Sequence, residues 1–193
     1  MNIKIGVIFI LLLSLNTLSA QVKVGIEFGT TLSTTHSSST EYIAKPKIST
    51  RGGFNFSYQA TPIFSIRSGI FYASRGDAYH KPLHTLSIPV MAQFHLIPQL
   101  SIGLGLETNV FLRTSPPTNY YPLTLGARAE VNWHISSKIQ LTAHFAHDLT
   151  THYKAYGVYD SFSYKIKPYS TPIQNYNVST GLSLAYHFYE SKK

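Results

Sequence analysis

Residues 100–107, Leu-Ser-Ile-Gly-Leu-Gly-Leu-Glu, decide the fold class of this chain. Large apolar residues alternate there with small or polar ones, and a period of two is the signature of a β-strand with one apolar face. The alternation recurs in residues 22–32, 53–58, 64–73, 86–95, 123–134, 139–146 and 176–188. The sequence therefore predicts an all-β protein of eight amphipathic strands, each about ten residues long, which is the length a tilted strand needs to cross a membrane.

Composition narrows the class of protein. The chain has 193 residues and a formal net charge of +8, yet only 12% of its residues are charged, against roughly 25% in an average soluble domain. A hydrophobic fraction of 44% argues against intrinsic disorder. Because the chain contains no cysteine, disulfides, thiol catalysis and Cys-ligated zinc are excluded.

The first twenty residues are predicted to be a secretory signal peptide. Gly6 to Leu15 is almost entirely apolar, and Leu18-Ser19-Ala20 ends in a small residue before Gln21. A buried N-terminal helix is the alternative, but the segment is not amphipathic. We therefore expect a signal peptide at 1–20 and a single β-barrel domain at 21–193.

The connections between the predicted strands alternate in length. Tight connections are expected at Ala60–Pro62, Ile97–Gln99 and Ser136–Ser137, and long ones at Ser33–Thr50, Gly76–Pro82, Thr114–Asn119 and Thr151–Gln174. Short turns on one side and long loops on the other are typical of an up-and-down meander. Both termini are then expected at the short-turn side.

Alternation alone does not say which face of a barrel points inward. A soluble lipocalin-like barrel has its apolar face inside, whereas an outer-membrane barrel turns it toward lipid. The polar face here is mostly Gly, Ser, Thr and Ala, which fits a narrow lumen better than a soluble exterior. Aromatic residues collect at both ends of the apolar face, as in interfacial girdles: Tyr58, Phe64, Phe94, Trp133, Tyr186 and Phe188 at one end, Tyr72, Tyr121 and Tyr176 at the other.

These features predict an eight-stranded antiparallel up-and-down transmembrane β-barrel in the Gram-negative outer membrane, with short periplasmic turns, periplasmic termini and long extracellular loops. A secreted soluble barrel or sandwich is the alternative.

Three short segments resemble one known family. Leu86-Ser87-Ile88-Pro89-Val90, Ile102-Gly103-Leu104-Gly105-Leu106 and the closing run Gly181 to Phe188 are similar to strands of the Bacteroidota outer-membrane β-barrel family. That family is often labelled porin-family or PorT-like, and its architecture is similar to that of the OmpA transmembrane domain and OmpX. The resemblance implies a structural or interaction barrel, and its PorT-like members imply a link to type IX secretion.

Charged residues on the polar face are predicted to meet inside the barrel. Four positive and four negative side chains lie there: Lys23, Arg67, Arg75 and Arg128, with Glu27, Glu107, Glu130 and Asp148. Unpaired charges in a narrow lumen would be costly. We therefore predict a cross-lumen ion-pair network of Glu27, Arg67, Glu107, Arg128 and Glu130 that plugs the lumen; a gated path for ions or small solutes is the alternative.

Catalytic, cofactor and metal sites are not predicted. His80, His84, His147 and His152 lie toward the long-loop rim without a metal-binding motif, so we interpret them as surface histidines. An outer-membrane lipid hydrolase or acyltransferase would need a nucleophile, a histidine and an acid on the lipid-facing wall. His147 and Asp148 are adjacent and so face opposite sides, and no strand supplies a serine paired with an outward histidine.

Excess positive charge is expected on the long loops and upper rim. The residues concerned are Lys45, Lys47, Arg51, Lys81, Arg113, Lys154, Lys165 and Lys167, against Glu41, Asp77 and Asp160. The fourth loop combines lysines with tyrosines into a predicted contact surface: Tyr153, Lys154, Tyr156, Tyr159, Tyr164, Lys165, Lys167 and Tyr169. Expected partners are outer-membrane lipid, including lipopolysaccharide, and a surface or secretion-machinery protein, with no nucleic acid; a merely solvated loop is the alternative.

Overall fold

The computed structural model describes residues 21–37, 45–75, 83–112, 122–151, 153–160 and 165–191. The predicted signal peptide lies outside these residues. Nine strands are present in them: β1 Gln21–Ser37, β2 Lys47–Thr61, β3 Phe64–Arg75, β4 Leu83–Ile97, β5 Leu100–Phe111, β6 Leu123–His134, β7 Ile139–Asp148, β8 Tyr153–Asp160 and β9 Lys165–Glu190.

Eight of these strands close into a barrel. β1 to β7 follow one another in antiparallel pairs, β9 pairs with β7, and β9 also pairs with β1. The predicted eight-stranded antiparallel up-and-down barrel is thus confirmed. β8 pairs only with β9, from Tyr153 opposite Asn175 to Asp160 opposite Lys165. The β8–β9 hairpin therefore extends the barrel wall at one end.

The two ends of the barrel differ in their connections. Residues 62–63, 98–99 and 135–138 form the turns after β2, β4 and β6. β1 begins and β9 finishes at this same end, where Lys23 lies opposite Glu190. We call it the turn end; the β8–β9 hairpin lies at the opposite end.

Polar side chains are buried and apolar side chains are exposed, which is the reverse of their distribution in a soluble protein. Asn, Ser, Thr, Gln, Arg and Glu side chains are buried in the lumen. Each barrel strand instead exposes large apolar residues on the outer wall, among them Phe28, Phe54, Ile70, Val90, Leu104, Val131, Phe145 and Leu182. In water such a wall would expose extensive hydrocarbon, whereas lipid solvates it, so the fold is that of a membrane-spanning barrel. Within the described part of the chain, no helix is long and apolar enough to span a membrane.

Aromatic and histidine side chains mark both ends of the apolar wall. Near the turn end the rings of Phe64 and Phe94 lie 5.4 Å apart, and Trp133 is exposed. Near the opposite end the hydroxyl of Tyr72 is 2.6 Å from Nδ1 of His84. Amphipathic rings of this kind are stable where hydrocarbon gives way to head groups. Tyr121, which the sequence assigned to the same belt, lies outside the described residues.

Glycine in the wall lets neighbouring strands and side chains approach closely. A Cβ atom on Gly105 would lie 2.8 Å from the Cα of Met91, and one on Gly53 would lie 2.7 Å from the Cα of Phe71. Real Cβ atoms essentially never come so close to another atom, so a side chain at either position would force the backbone to shift. Because glycine has no side chain, the lumen volume at these positions is available to longer side chains from other strands.

Parts of two segments expected to be loops are strands. The first predicted connection, Ser33–Thr50, contains the end of β1 and the start of β2, which pair from Thr30 opposite Thr50 to Ser33 opposite Lys47. The fourth, Thr151–Gln174, contains β8 and the beginning of β9. Backbone hydrogen bonds across the strand pair stabilise these segments, and their sequences lack the regular alternation of apolar and polar residues that identified the other strands.

The lipid-facing assignment predicts how the barrel responds to a charge on its wall. Leu104 is central in β5 and 62% exposed. We expect Leu104→Lys to reduce the free energy of unfolding by about 2–4 kcal/mol, because an ammonium at mid-membrane is poorly solvated. The control Ile135→Lys, at the exposed turn end, should cost about 0–1 kcal/mol. Urea titration of the barrel folded in lipid vesicles measures both, and equal effects would contradict a membrane-spanning wall.

Candidate functional site

The centre of the lumen contains a continuous chain of ion pairs. Arg67 bonds to Glu27 through Nη2, and its Nη1 donates to Oε2 of Glu130 at 2.6 Å. Arg128 donates from Nε to Oε1 of Glu130 and from Nη1 to Oε2 of Glu107, each at 2.7 Å. The structure thus brings together all five residues that the sequence assigned to the lumen network, and each is buried.

The chain of ion pairs continues toward the hairpin end. Glu107 also accepts a hydrogen bond from Arg75, whose Nη1 lies 3.8 Å from Oδ1 of Asp148. Asn109 donates to the same oxygen of Asp148 at 3.1 Å, and Asn177 donates to Oδ2 at 3.3 Å. Both carboxylates therefore have several donors, which offsets the cost of removing them from water.

Neutral side chains complete the network. Ser183 donates to Oε1 of Glu27 at 2.7 Å, so this carboxylate has a partner on β9 as well as on β3. Beside Glu130, Oδ1 of Asn132 accepts from Gln140 at 2.9 Å and from Thr142 at 2.8 Å. Together with the ion pairs, these bonds connect side chains of several strands across the lumen.

Arg51 is the residue that the sequence placed wrongly. It was expected on the loops or upper rim, but it belongs to β2, points into the lumen and is 3% exposed. Its guanidinium lies 4.0 Å from the ring centre of Phe71 and 3.9 Å from Oε2 of Glu107. Three polar residues before Arg51, Ser49, Thr50 and Lys47, hide the alternation that places position 51 on the lumen face.

Charge in the buried lumen is balanced. Lys23, which the sequence counted with the lumen charges, lies at the turn end and forms a 2.9 Å ion pair with Glu190. Among the residues whose side chains the structure describes, the buried charges are therefore Arg51, Arg67, Arg75 and Arg128, with Glu27, Glu107, Glu130 and Asp148. Four cations against four anions sum to zero, so the lumen presents no net charge to attract ions of either sign.

The mouth of the lumen at the turn end is different in character. A cavity of about 580 Å³ opens there, lined by Lys23, His95 and His134 together with turn residues such as Ile63 and Ile135. His95 Nε2 lies 3.0 Å from the Ser65 hydroxyl, and His134 Nε2 lies 3.3 Å from the Ser101 hydroxyl. No sequence motif marks these two histidines. They lie on separate strands, and only the barrel register brings them together.

The rim histidines considered from sequence do not form a cluster in the described residues. His84 contacts Tyr72, and the ring of His147 stacks on Tyr176 at 6.4 Å. His80 and His152 lie outside the described residues. Across the described ranges, no group of three or more His, Asp or Glu side chains is placed to hold a metal ion.

The predicted loop contact surface is only partly described. The structure gives the backbone of Tyr153, Lys154, Tyr156 and Tyr159 on β8, and of Lys165, Lys167 and Tyr169 on β9. All of them lie in the β8–β9 hairpin, beyond the pairing of β9 with β7. Tyr164 lies outside the described residues.

No family model matches the sequence. No curated protein matches it either. Solved structures similar to the chain include three bacterial proteins. Ail, the attachment invasion locus protein of Yersinia pestis, is 13% identical over 86% of this chain and 98% of that one, with a TM-score of 0.45. Neisserial surface protein A is 12% identical over 86% and 97%, with a TM-score of 0.48. The N-terminal β-barrel domain of Pseudomonas aeruginosa OprF is 12% identical over 86% and 97%, with a TM-score of 0.43.

The network predicts different effects for two identical substitutions. We expect Glu107→Gln to lower the free energy of unfolding by about 3–5 kcal/mol, because it leaves buried arginine charge uncompensated. Glu190→Gln removes the partner of Lys23 at the partly exposed mouth and should cost about 0–1 kcal/mol. Denaturant unfolding of the folded barrel compares the two, and similar losses would show that the lumen ion pairs do not stabilise the fold.

Proposed function

We propose that the chain is a small outer-membrane barrel of a Gram-negative bacterium that acts as a scaffold for surface contact rather than as a channel. The observation that carries this proposal is the combination of an apolar outer wall with a lumen closed by paired charges. The wall requires lipid, and the closed lumen leaves the ends of the barrel as the surfaces available for interaction.

The lumen network argues against conduction. The Arg67–Glu130–Arg128 chain crosses the lumen at mid-height with nitrogen–oxygen distances of 2.6 to 2.7 Å. An eight-stranded barrel is just wide enough for side chains to fill its interior. A solute would have to separate buried ion pairs to pass, and removing one partner of such a pair costs several kcal/mol.

The hairpin end is the proposed contact surface. In bacterial barrels the short turns face the periplasm and the longer connections face outward, so the β8–β9 hairpin would lie at the cell surface. Its sequence combines Lys154, Lys165 and Lys167 with five tyrosines. Lysines attract lipid phosphates, and tyrosines contribute large, rigid contact area. Lipopolysaccharide of the outer leaflet is the partner that this combination fits best.

Two other functions are alternatives to this proposal. The resemblance to PorT-like barrels favours a component of type IX secretion, in which the hairpin would contact another protein. A lipid-modifying enzyme is less favoured: the Ser65–His95 and Ser101–His134 pairs face the lumen rather than the lipid, and among the described residues neither has a carboxylate bonded to the second ring nitrogen. We propose that the chain is not an enzyme.

Location is the first test. We expect the protein to fractionate with outer membranes and to migrate faster on a gel unboiled than boiled, because a closed barrel resists detergent until heated. Recovery as a soluble periplasmic protein whose migration does not change on heating would contradict the proposal and favour the secreted soluble barrel.

Deletion of the hairpin tests the contact surface. Removing Lys154 to Pro172 should leave the heat-modifiable barrel intact, because β9 pairs with β7 and β1 only from residue 175 onward. Salt-sensitive binding of the barrel to vesicles containing lipopolysaccharide should be lost. The matched variant Lys154→Glu, Lys165→Glu, Lys167→Glu keeps the hairpin and should lose the same binding. Unchanged binding in both variants would place the contact elsewhere on the barrel.

A further inference from the structure

The turn-end mouth contains two imidazoles that the lumen network does not use. The ring centres of His95 and His134 lie 5.6 Å apart, with 31° between their planes. Both rings line the cavity of about 580 Å³, which is open to the solution at the turn end. The two rings are therefore close to each other, and a ligand from solution can reach both.

One nitrogen of each ring is held by a serine hydroxyl. Ser65 bonds Nε2 of His95 at 3.0 Å, and Ser101 bonds Nε2 of His134 at 3.3 Å. Nδ1 of each ring has no hydrogen-bond partner among the described residues. Neither Nδ1 is one of the buried polar atoms that lack a partner. Fixing one imidazole nitrogen through a hydrogen bond is how proteins orient the other toward a metal.

The charge at the mouth favours a cation-binding imidazole pair over an anion site. Lys23 lines the same cavity, but its ammonium is paired with the Glu190 carboxylate at 2.9 Å. Gln21 donates to that carboxylate as well, at 2.7 Å. Among these groups, no unpaired positive charge is therefore available to bind a phosphate or carboxylate. The lone pairs of the two imidazoles are available to bind a cation.

We propose that His95 and His134 bind one divalent transition-metal ion of the zinc, nickel or copper type through their Nδ1 atoms at the mouth of the barrel. Imidazole is the preferred protein ligand of these ions, with metal–nitrogen distances of about 2.0–2.1 Å. With such a bond the centre of each ring lies about 3.2 Å from the ion, so two rings on one ion can have the observed separation of 5.6 Å between their centres. Water from the cavity fills the remaining positions, so the ion exchanges readily with the solution.

Of the residues around this site, some strengthen metal binding and one weakens it. Ser65 and Ser101 position the rings, so each serine strengthens binding. Lys23 is a cation beside the site and weakens it. His187 interacts electrostatically with His134 but is buried and does not line the cavity, so we assign two protein ligands to the site.

Calorimetric titration of the purified barrel with Zn²⁺, with an affinity tag that contains no histidine, tests the proposal. We expect one Zn²⁺ per barrel, and at least a tenfold loss of affinity in His95→Asn and in His134→Asn. Ser65→Ala and Ser101→Ala should each lose about 10- to 100-fold. Lys23→Gln should bind more tightly than the unmodified barrel. His84→Asn, at the opposite end of the barrel, is the matched control and should change nothing.

A spectroscopic measurement makes the test independent of the variants' folding. Cu²⁺ added to the unmodified barrel should give an electron paramagnetic resonance spectrum split by two equivalent imidazole nitrogens. Absence of Zn²⁺ uptake, equal uptake by the unmodified barrel and both histidine variants, or a Cu²⁺ spectrum without two imidazole nitrogens would overturn the proposal. Binding of inorganic phosphate without metal uptake would likewise overturn it, in favour of an anion site.

Discussion

Burial of charge in a narrow interior is the constraint on which this structure depends. The outer wall is apolar, so the polar face of every barrel strand must be accommodated in the lumen. A single buried carboxylate without a partner would cost several kcal/mol, and four are present. Their compensation by four arginines is therefore a condition of folding. The planar guanidinium makes this compensation efficient, because Arg67 and Arg128 each bond two different carboxylates.

The same constraint explains the small residues of the wall. An arginine reaching across the lumen needs space that a side chain on the facing strand would occupy. Gly53 and Gly105 supply close approach where the neighbouring strands carry Phe71 and Met91, both fully buried. Glycine at some lumen-facing positions thus makes room for long charged side chains at others. The strands contribute unequal volumes of side chain, which together fill the interior.

Sequence could predict the barrel because lipid imposes a strict period of two. Where one face of a strand contacts hydrocarbon, as in residues 100–107, the alternate positions must face the lumen. The charged residues at those positions could therefore be assigned to the lumen. At the strand ends on the hairpin side this logic fails, because the sequence there does not alternate regularly between apolar and polar residues. Arg51 and the β8–β9 hairpin were misjudged there, since Lys47, Ser49 and Thr50 show no alternation and the hairpin is set by backbone pairing. Contacts between strands were also beyond a linear pattern: His95 and His134 meet only through the register of β4, β5 and β6.

The closed lumen proposed above would divide the molecule into two chemically separate ends. A ligand at one mouth would then not reach the other, so any activity would belong to one end or be transmitted through the wall. The ends have different chemistry: lysines and tyrosines on the hairpin, neutral imidazoles and a compensated Lys23–Glu190 pair at the turns. Transmission through the wall is disfavoured, because a rearrangement of the lumen would have to separate buried pairs such as Arg67–Glu130 and Arg128–Glu107, at a cost of several kcal/mol. The two ends are therefore expected to act independently, each on the solution or membrane surface that it faces.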